Sequence, residues 1–254
     1  MSKSQEKAVT PVDRDLLTQI NQIGGLAGTD VLAVPSLRLE HTTDATGEPN
    51  ELKGKFTLSR KDELGQWEKQ DLGEEIVIQV LLQRYFFNLM KDKKRYGSKE
   101  FDSRDNLVQL FESVGEGDSR SSMLYAEGTP AELAKNFMVQ DSKGRTRSEL
   151  MMQYAIYALY NNELVKWRMN TSATFGYRTY QRQVSPFTVM TKVTRIEKKN
   201  GNVKFYAPQF NAVEKLNDFR AVLDKQKDLR MILTGGDEAM PEKESGEINA
   251  AEIV

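Results

Sequence analysis

The chain has 254 residues, 36 basic and 37 acidic side chains, one histidine and no cysteine. Disulfides, thiolate catalysis and cysteine-ligated zinc are thereby excluded, and one histidine cannot build a histidine metal cluster. The near-neutral balance argues against a uniformly basic nucleic-acid coat, and the opening MSKSQEKAVTPVDRD has no apolar core, so a secretory signal is not expected.

Residues 1–30 read as a tail with a short helix from Asp13 to about Ile23, capped by Asp13 or Asp15 and stopped by Gly24-Gly25. Residues 31–233 read as one β-rich domain that ends in a helix. Within it, VLAVPSLRLEH (31–41) and GKFTLSR (54–60) have the composition and alternation of strands. EIVIQVLLQRYFFNLM (75–90) is the strongest strand signal, apolar in both registers at its start, which suits a central strand covered on both faces. KDKKRYGSKEFDSRDN reads as a charged excursion, LVQLFES (107–113) as another strand, and GEGDSRS as a loop.

Two hairpins are expected beyond it. MMQYAIYALY and ELVKWRMN flank Asn161-Asn162, and TVMTKVTRIEKK and VKFYAP flank Asn200-Gly201, a strong short hairpin signal. TSATFGYRTYQRQV between them reads as a helix capped by Thr171 or Ser172. Ala212 to Leu233 reads as the C-terminal helix, with Gly235-Gly236 as its stop. Residues 234–254 are acidic and aromatic-free, and a disordered tail is expected there. Short strands joined by hairpin turns point to an α+β, β-rich fold. The preferred architecture is an OB-like small antiparallel barrel with an inserted helix and a C-terminal helix.

Charge is segregated along the chain. Nine basic residues and one acid lie between Lys166 and Lys204, whereas the segment from Asp237 onward holds six acids and one lysine. Aromatic residues interleave with the cations in two segments. The first carries Arg84, Tyr85, Phe87, Lys93, Lys94, Arg95 and Tyr96. The second carries Trp167, Arg168, Tyr177, Arg178, Tyr180, Arg182, Lys192 and Arg195. Rings can stack on bases while neighbouring cations track phosphates, which is how single strands are held with little regard to sequence. The two segments are expected to form the banks of one groove. The opposing reading is that aromatics on strands are core and lysines on hairpins are solvated.

Other chemistry is poorly served. Glu100, Asp102 and Asp105 sit among Lys99 and Arg104 and suit turn caps and ion pairs better than a Mg²⁺ site. Glu197-Lys198-Lys199 has a nuclease-like E-x-K spacing without a partner aspartate, and neither glycine-rich phosphate motif occurs. His41 reads as a surface or strand-end histidine.

The strings GKFTL, VIQVLLQRYFFNL and KEFDSRDNLVQLF, followed by the acidic tail, make the chain resemble phage-type and bacterial accessory single-strand-binding proteins with an oligonucleotide-binding barrel. The chain ends in Ala251-Glu252-Ile253-Val254, whereas the well-known bacterial members close on an aromatic residue. The expectation is a non-enzymatic, cytoplasmic single-stranded nucleic-acid-binding protein. DNA is the favoured ligand, in replication or recombination of a phage or mobile element. No cofactor, metal or membrane partner is expected, and the tail leaves room for protein partners and the body for a homo-oligomer. The alternative is a structural or assembly protein with no nucleic-acid role; a metal-dependent nuclease is a distant third.

Overall fold

The structure, a computed structural model, describes residues 34–41, 51–61, 66–114, 121–141, 143–201 and 203–233. The expected N-terminal helix, residues 31–33, the Gly235-Gly236 stop and the acidic tail lie outside these residues.

The strands are β1 (Ser36–Leu39), β2 (Phe56–Lys61), β3 (Trp67–Gly73), β4 (Glu75–Lys91), β5 (Lys94–Ser98), β6 (Val108–Val114), β7 (Ser121–Gly128), β8 (Met138–Gln140), β9 (Thr146–Ser148), β10 (Met152–Tyr160), β11 (Glu163–Arg168), β12 (Val189–Asn200) and β13 (Val203–Lys215). The helices are α1 (Pro130–Lys135), α2 (Thr171–Gln181) and α3 (Phe219–Leu233). Among the described residues, eleven strands join one sheet in the order β3-β2-β1-β11-β10-β4-β5-β6-β7, with the β12–β13 hairpin attached to β4, while β8 and β9 pair apart. The path is open. All its pairings are antiparallel except β1 with β11, which meet at one register, Ser36 opposite Lys166.

β4 organises the sheet because its length lets it serve three neighbours. Glu75–Ile78 pair with β12, Gln79–Phe87 with β10, and Asn88–Lys91 with β5. A bulge interrupts the β10 pairing: Ala158 faces Val80 but Tyr157 faces Leu82, so Leu81 is the extra residue. Because side chains alternate along a strand, one extra residue exchanges the faces. Ile76, Ile78 and Val80 enter the main core before the bulge, and Tyr85 packs on it after the bulge. Arg84, Phe86 and Asn88 are thereby turned to the other side.

The main core gathers Leu37, Leu39, Phe56, Leu58, Ile156, Val165, Trp167, Tyr177, Tyr180, Val193 and Phe210 with those β4 residues. The hairpin β12–β13 folds over it, and α2 wedges beneath. Gly176 makes that wedge possible, since a Cβ there would stand 3.0 Å from the Pro208 carbonyl. A second cluster lies between α1 and the β4–β7 arm around Phe87, Tyr96 and Phe137. In a third, Leu229 of α3 covers Leu81, Leu82, Tyr157, Leu159 and Leu164.

Several expectations need correction. β3, β5, β7, α1, β8 and β9 occupy segments read as loop or left unassigned; β3 and β5 are strongly charged, β8 and β9 have three residues each, and α1 has six. The α2 cap is Asn170, whose Oδ1 accepts from Ala173 N at 2.9 Å, rather than Thr171 or Ser172. Ala212–Lys215 continue β13, and α3 begins only at Phe219. The expected α+β, strand-rich class holds, while the described strands follow an open path where an OB-like small barrel was expected.

Candidate functional site

A cleft of about 440 Å³ opens where β1 and β11 part after their single paired register. Arg38 and His41 come from β1 and the residues just after it. Trp167 and Arg168 come from β11, Asn170 from the α2 cap, Phe86 and Asn88 from β4, Arg95 from β5, and Gln153 from β10. Ala173 of α2 and Pro208 of β13 complete one side.

Pairing explains the convergence. Arg38 lies two residues beyond Ser36, and Arg168 two beyond Lys166, so both point to the same side of the parallel pair. Arg168 is opposite Ala155, and Ala155 is opposite Arg84. The small side chain at Ala155 leaves the space through which Arg168 reaches Phe86, its guanidinium 3.9 Å from the ring centroid. Arg95 is held by Asn88, with Nε donating to Oδ1 at 2.9 Å.

The lining has three arginines and one carboxylate, Glu40. Glu40 is already engaged, accepting from Thr57 Oγ1 at 2.8 Å and pairing with Lys69 Nζ at 2.9 Å. Arg168 reaches Glu100 only at 3.8 Å, because Glu100 is taken by Lys166 at 2.6 Å and by the Tyr157 hydroxyl at 2.7 Å. Partial burial draws the Arg168 guanidinium below its ordinary value; Glu100 opposes this, and the positive charge of Arg95 adds to it. The charge that would relieve this crowding is an anion.

The helix α2 adds to the same field, because its cap lines the cleft and a helix N-terminus favours negative charge. The cap also orients the only histidine. With Asn170 Oδ1 taken by Ala173 N and Ser172 Oγ, its Nδ2 faces His41 Nε2 at 2.8 Å. An amide NH₂ only donates, so neutral His41 accepts at Nε2 and carries its proton on Nδ1.

Of the expected site residues, Arg95, Trp167 and Arg168 meet at this cleft. Trp167, Tyr177, Tyr180, Phe87 and Tyr96 are buried, and Tyr85 is sandwiched between Phe101 and Tyr154. The expectation that these rings stack on bases from an open groove is corrected: they are core. Trp167 packs edge-on to Phe56 and against Phe210, and Tyr180 stacks on Phe210 while its hydroxyl bonds Thr191 at 2.8 Å.

The remaining expected cations lie elsewhere. Arg84 pairs with Asp102 at 2.8 Å and Lys94 with Glu112 at 2.8 Å. Lys192 pairs with Glu75 at 2.8 Å, and Arg195 with Glu74 while lying over the Tyr206 ring. Arg178 donates to the Met152 carbonyl at 3.3 Å and covers Tyr154. Lys93 and Arg182 are exposed and do not line the cleft. Of the three carboxylates weighed for a metal, Glu100, Asp102 and Asp105, the first two are spent on ion pairs.

Arg38, His41, Asn88, Gln153 and Asn170 were not anticipated. Arg38 and His41 stand outside the two aromatic-basic segments, and only the β1–β11 pairing carries them to Arg168. Comparison with protein-family models, characterised proteins and solved structures gives no match.

Proposed function

We propose that the chain binds single-stranded nucleic acid, DNA before RNA, through the arginine cleft, and that it does so without catalysis. The observation that carries this reading is the convergence of Arg38, Arg95 and Arg168 on one cleft whose only lining carboxylate among the described residues is already paired. Guanidinium groups are the side chains best matched to phosphate. The cleft volume falls in the range of single-ligand pockets. Such a space suits an unpaired nucleotide better than a duplex. In this revised form phosphate binding, rather than tyrosine stacking, supplies the affinity.

The resemblance to phage-type and bacterial accessory single-strand-binding proteins supplies the proposed setting, replication or recombination of a phage or mobile element. Kinship with the oligonucleotide-binding barrel is part of the same proposal. It is supported by the way β13, β12, β4, β10, β11 and β1 wrap one core.

The test is a titration of labelled single-stranded and duplex oligonucleotides across a salt series. Single strands should bind more tightly, with affinity falling steeply as salt rises. Arg38→Ala and Arg168→Ala should each flatten the log–log salt slope by about 0.7 for every phosphate that is no longer neutralised. Arg195→Ala, whose partner Glu74 lies away from the cleft, should not. Absence of binding to any single strand at low salt overturns the reading. The assembly alternative is favoured by one observation, the run Met123, Leu124 and Tyr125 exposed on the edge strand β7.

A further inference from the structure

The wall of the arginine cleft contains three amide side chains. Asn170 is committed to the helix cap and His41, and the Oδ1 of Asn88 accepts from Arg95. The third, Gln153, is 5% exposed and only half committed. Its Nε2 donates to the Asn88 carbonyl at 3.5 Å and to Thr171 Oγ1 at 3.3 Å, both long hydrogen bonds. Its Oε1 is buried and accepts from no group among the described residues. The Asn88 carbonyl has no proton to give, so the end of the amide facing it is the NH₂, and the orphan is an acceptor.

An acceptor buried without a donor bears a desolvation cost that an arriving N–H group would remove. The last torsion of a glutamine is broad, and the two hydrogen bonds that restrain it here are weak. Turning Oε1 toward the cleft is therefore easy once a donor is present.

We propose that the cleft reads the base next to the phosphate its arginines hold, with Gln153 Oε1 accepting from an exocyclic amino group. This rests on the nucleic-acid reading above. Cytosine presents its N4 amino group and adenine its N6 amino group, whereas thymine presents the O4 carbonyl at the corresponding position. Uracil has the same carbonyl, which would set acceptor against acceptor. The ring N–H of uracil could reach Oε1 only with O4 beside it, and that oxygen finds a donor only if Gln153 Nε2 leaves the Asn88 carbonyl and Thr171. The class of ligand favoured is thus a single strand with an amino-bearing base in the cleft.

The experiment compares oligodeoxycytidylate with oligodeoxyuridylate of equal length, near neutral pH and at one salt concentration. The two share a backbone and differ in the base edge. The cytidylate strand should bind more tightly by about fivefold to tenfold, the equivalent of one neutral hydrogen bond. Gln153→Met removes the acceptor and should bring the ratio near one without altering the salt slope. Gln153→Glu keeps an acceptor and should keep the preference, which covers the case in which the methionine variant does not fold. Equal binding of the two strands by the unaltered protein overturns this inference and leaves the nucleic-acid reading standing. Binding of neither strand overturns both.

Discussion

At the scale of single residues, the aromatic side chains of α2 illustrate how identical chemistry diverges with its surroundings. Tyr177 and Tyr180 are both buried, yet the Tyr180 hydroxyl has Thr191 as a partner and the Tyr177 hydroxyl has none among the described residues. Burial without a partner holds the Tyr177 phenol well above its ordinary value, reinforced by the nearby Tyr154 and Tyr180. Tyr177→Phe removes an unsatisfied group and should leave stability unchanged or raise it. Tyr180→Phe strands the buried Thr191 hydroxyl and should cost about 1–3 kcal/mol. Urea unfolding of the two variants checks the contrast, and a larger loss for Tyr177→Phe would contradict the assigned hydrogen bonding. Because these rings are core, their alanine variants should unfold the protein more readily rather than weaken ligand binding selectively.

At the scale of elements, the hairpins show turn chemistry at work. Asn161 and Asn162 take φ of 48° and 64° between β10 and β11, a conformation asparagine tolerates. Asp92 and Lys93 do the same between β4 and β5, with φ of 50° and 61°, and lysine tolerates it poorly. Lys93→Gly should therefore stabilise the fold by about 0.5–1 kcal/mol, the relief of left-handed strain being partly offset by the greater freedom of glycine when unfolded. A thermal melt reads the gain. The same variant addresses function, since Lys93 was expected to touch nucleic acid but stands outside the cleft. Its affinity for single strands should be unchanged, whereas a reduced salt slope would return this lysine to the interface.

At the scale of the whole molecule, the described residues cover the two faces of the sheet unequally. One face is filled by α2 and the β12–β13 hairpin. On the other, α3 covers only the end around Leu82, Tyr157 and Leu164, and the arginine cleft opens where β1 and β11 separate. Leu229 anchors α3 and is 3% exposed. Leu229→Ala should cost about 2–5 kcal/mol. Since α3 shares no residue with the cleft, binding measured well below the melting temperature should survive. Loss of binding in a variant that remains folded would mean that α3 and the cleft are coupled.

Much of this architecture was legible in the chain itself. The long apolar run became β4, the Asn161-Asn162 and Asn200-Gly201 turns joined their hairpins, and α2 lies where a helix was expected, because turn geometry and strand alternation are local properties of sequence. The charged strands β3 and β5 were not legible, since their pairing rests on neighbours rather than on an apolar pattern. The site was legible only in fragments, through Arg95, Trp167 and Arg168. A uniform alternation along β4 would place Arg84 and Phe86 on the core face with Ile78; the bulge at Leu81 reverses them, and pairing with β10 determines the bulge. Arg38 joins Arg168 only through a parallel pairing across some 130 residues of chain. Burial of the tyrosines was likewise decided by what folds over them. Local chemistry thus determined the elements that carry an apolar pattern or a turn signal, whereas long-range pairing and packing decided the charged strands and which side chains face solvent together.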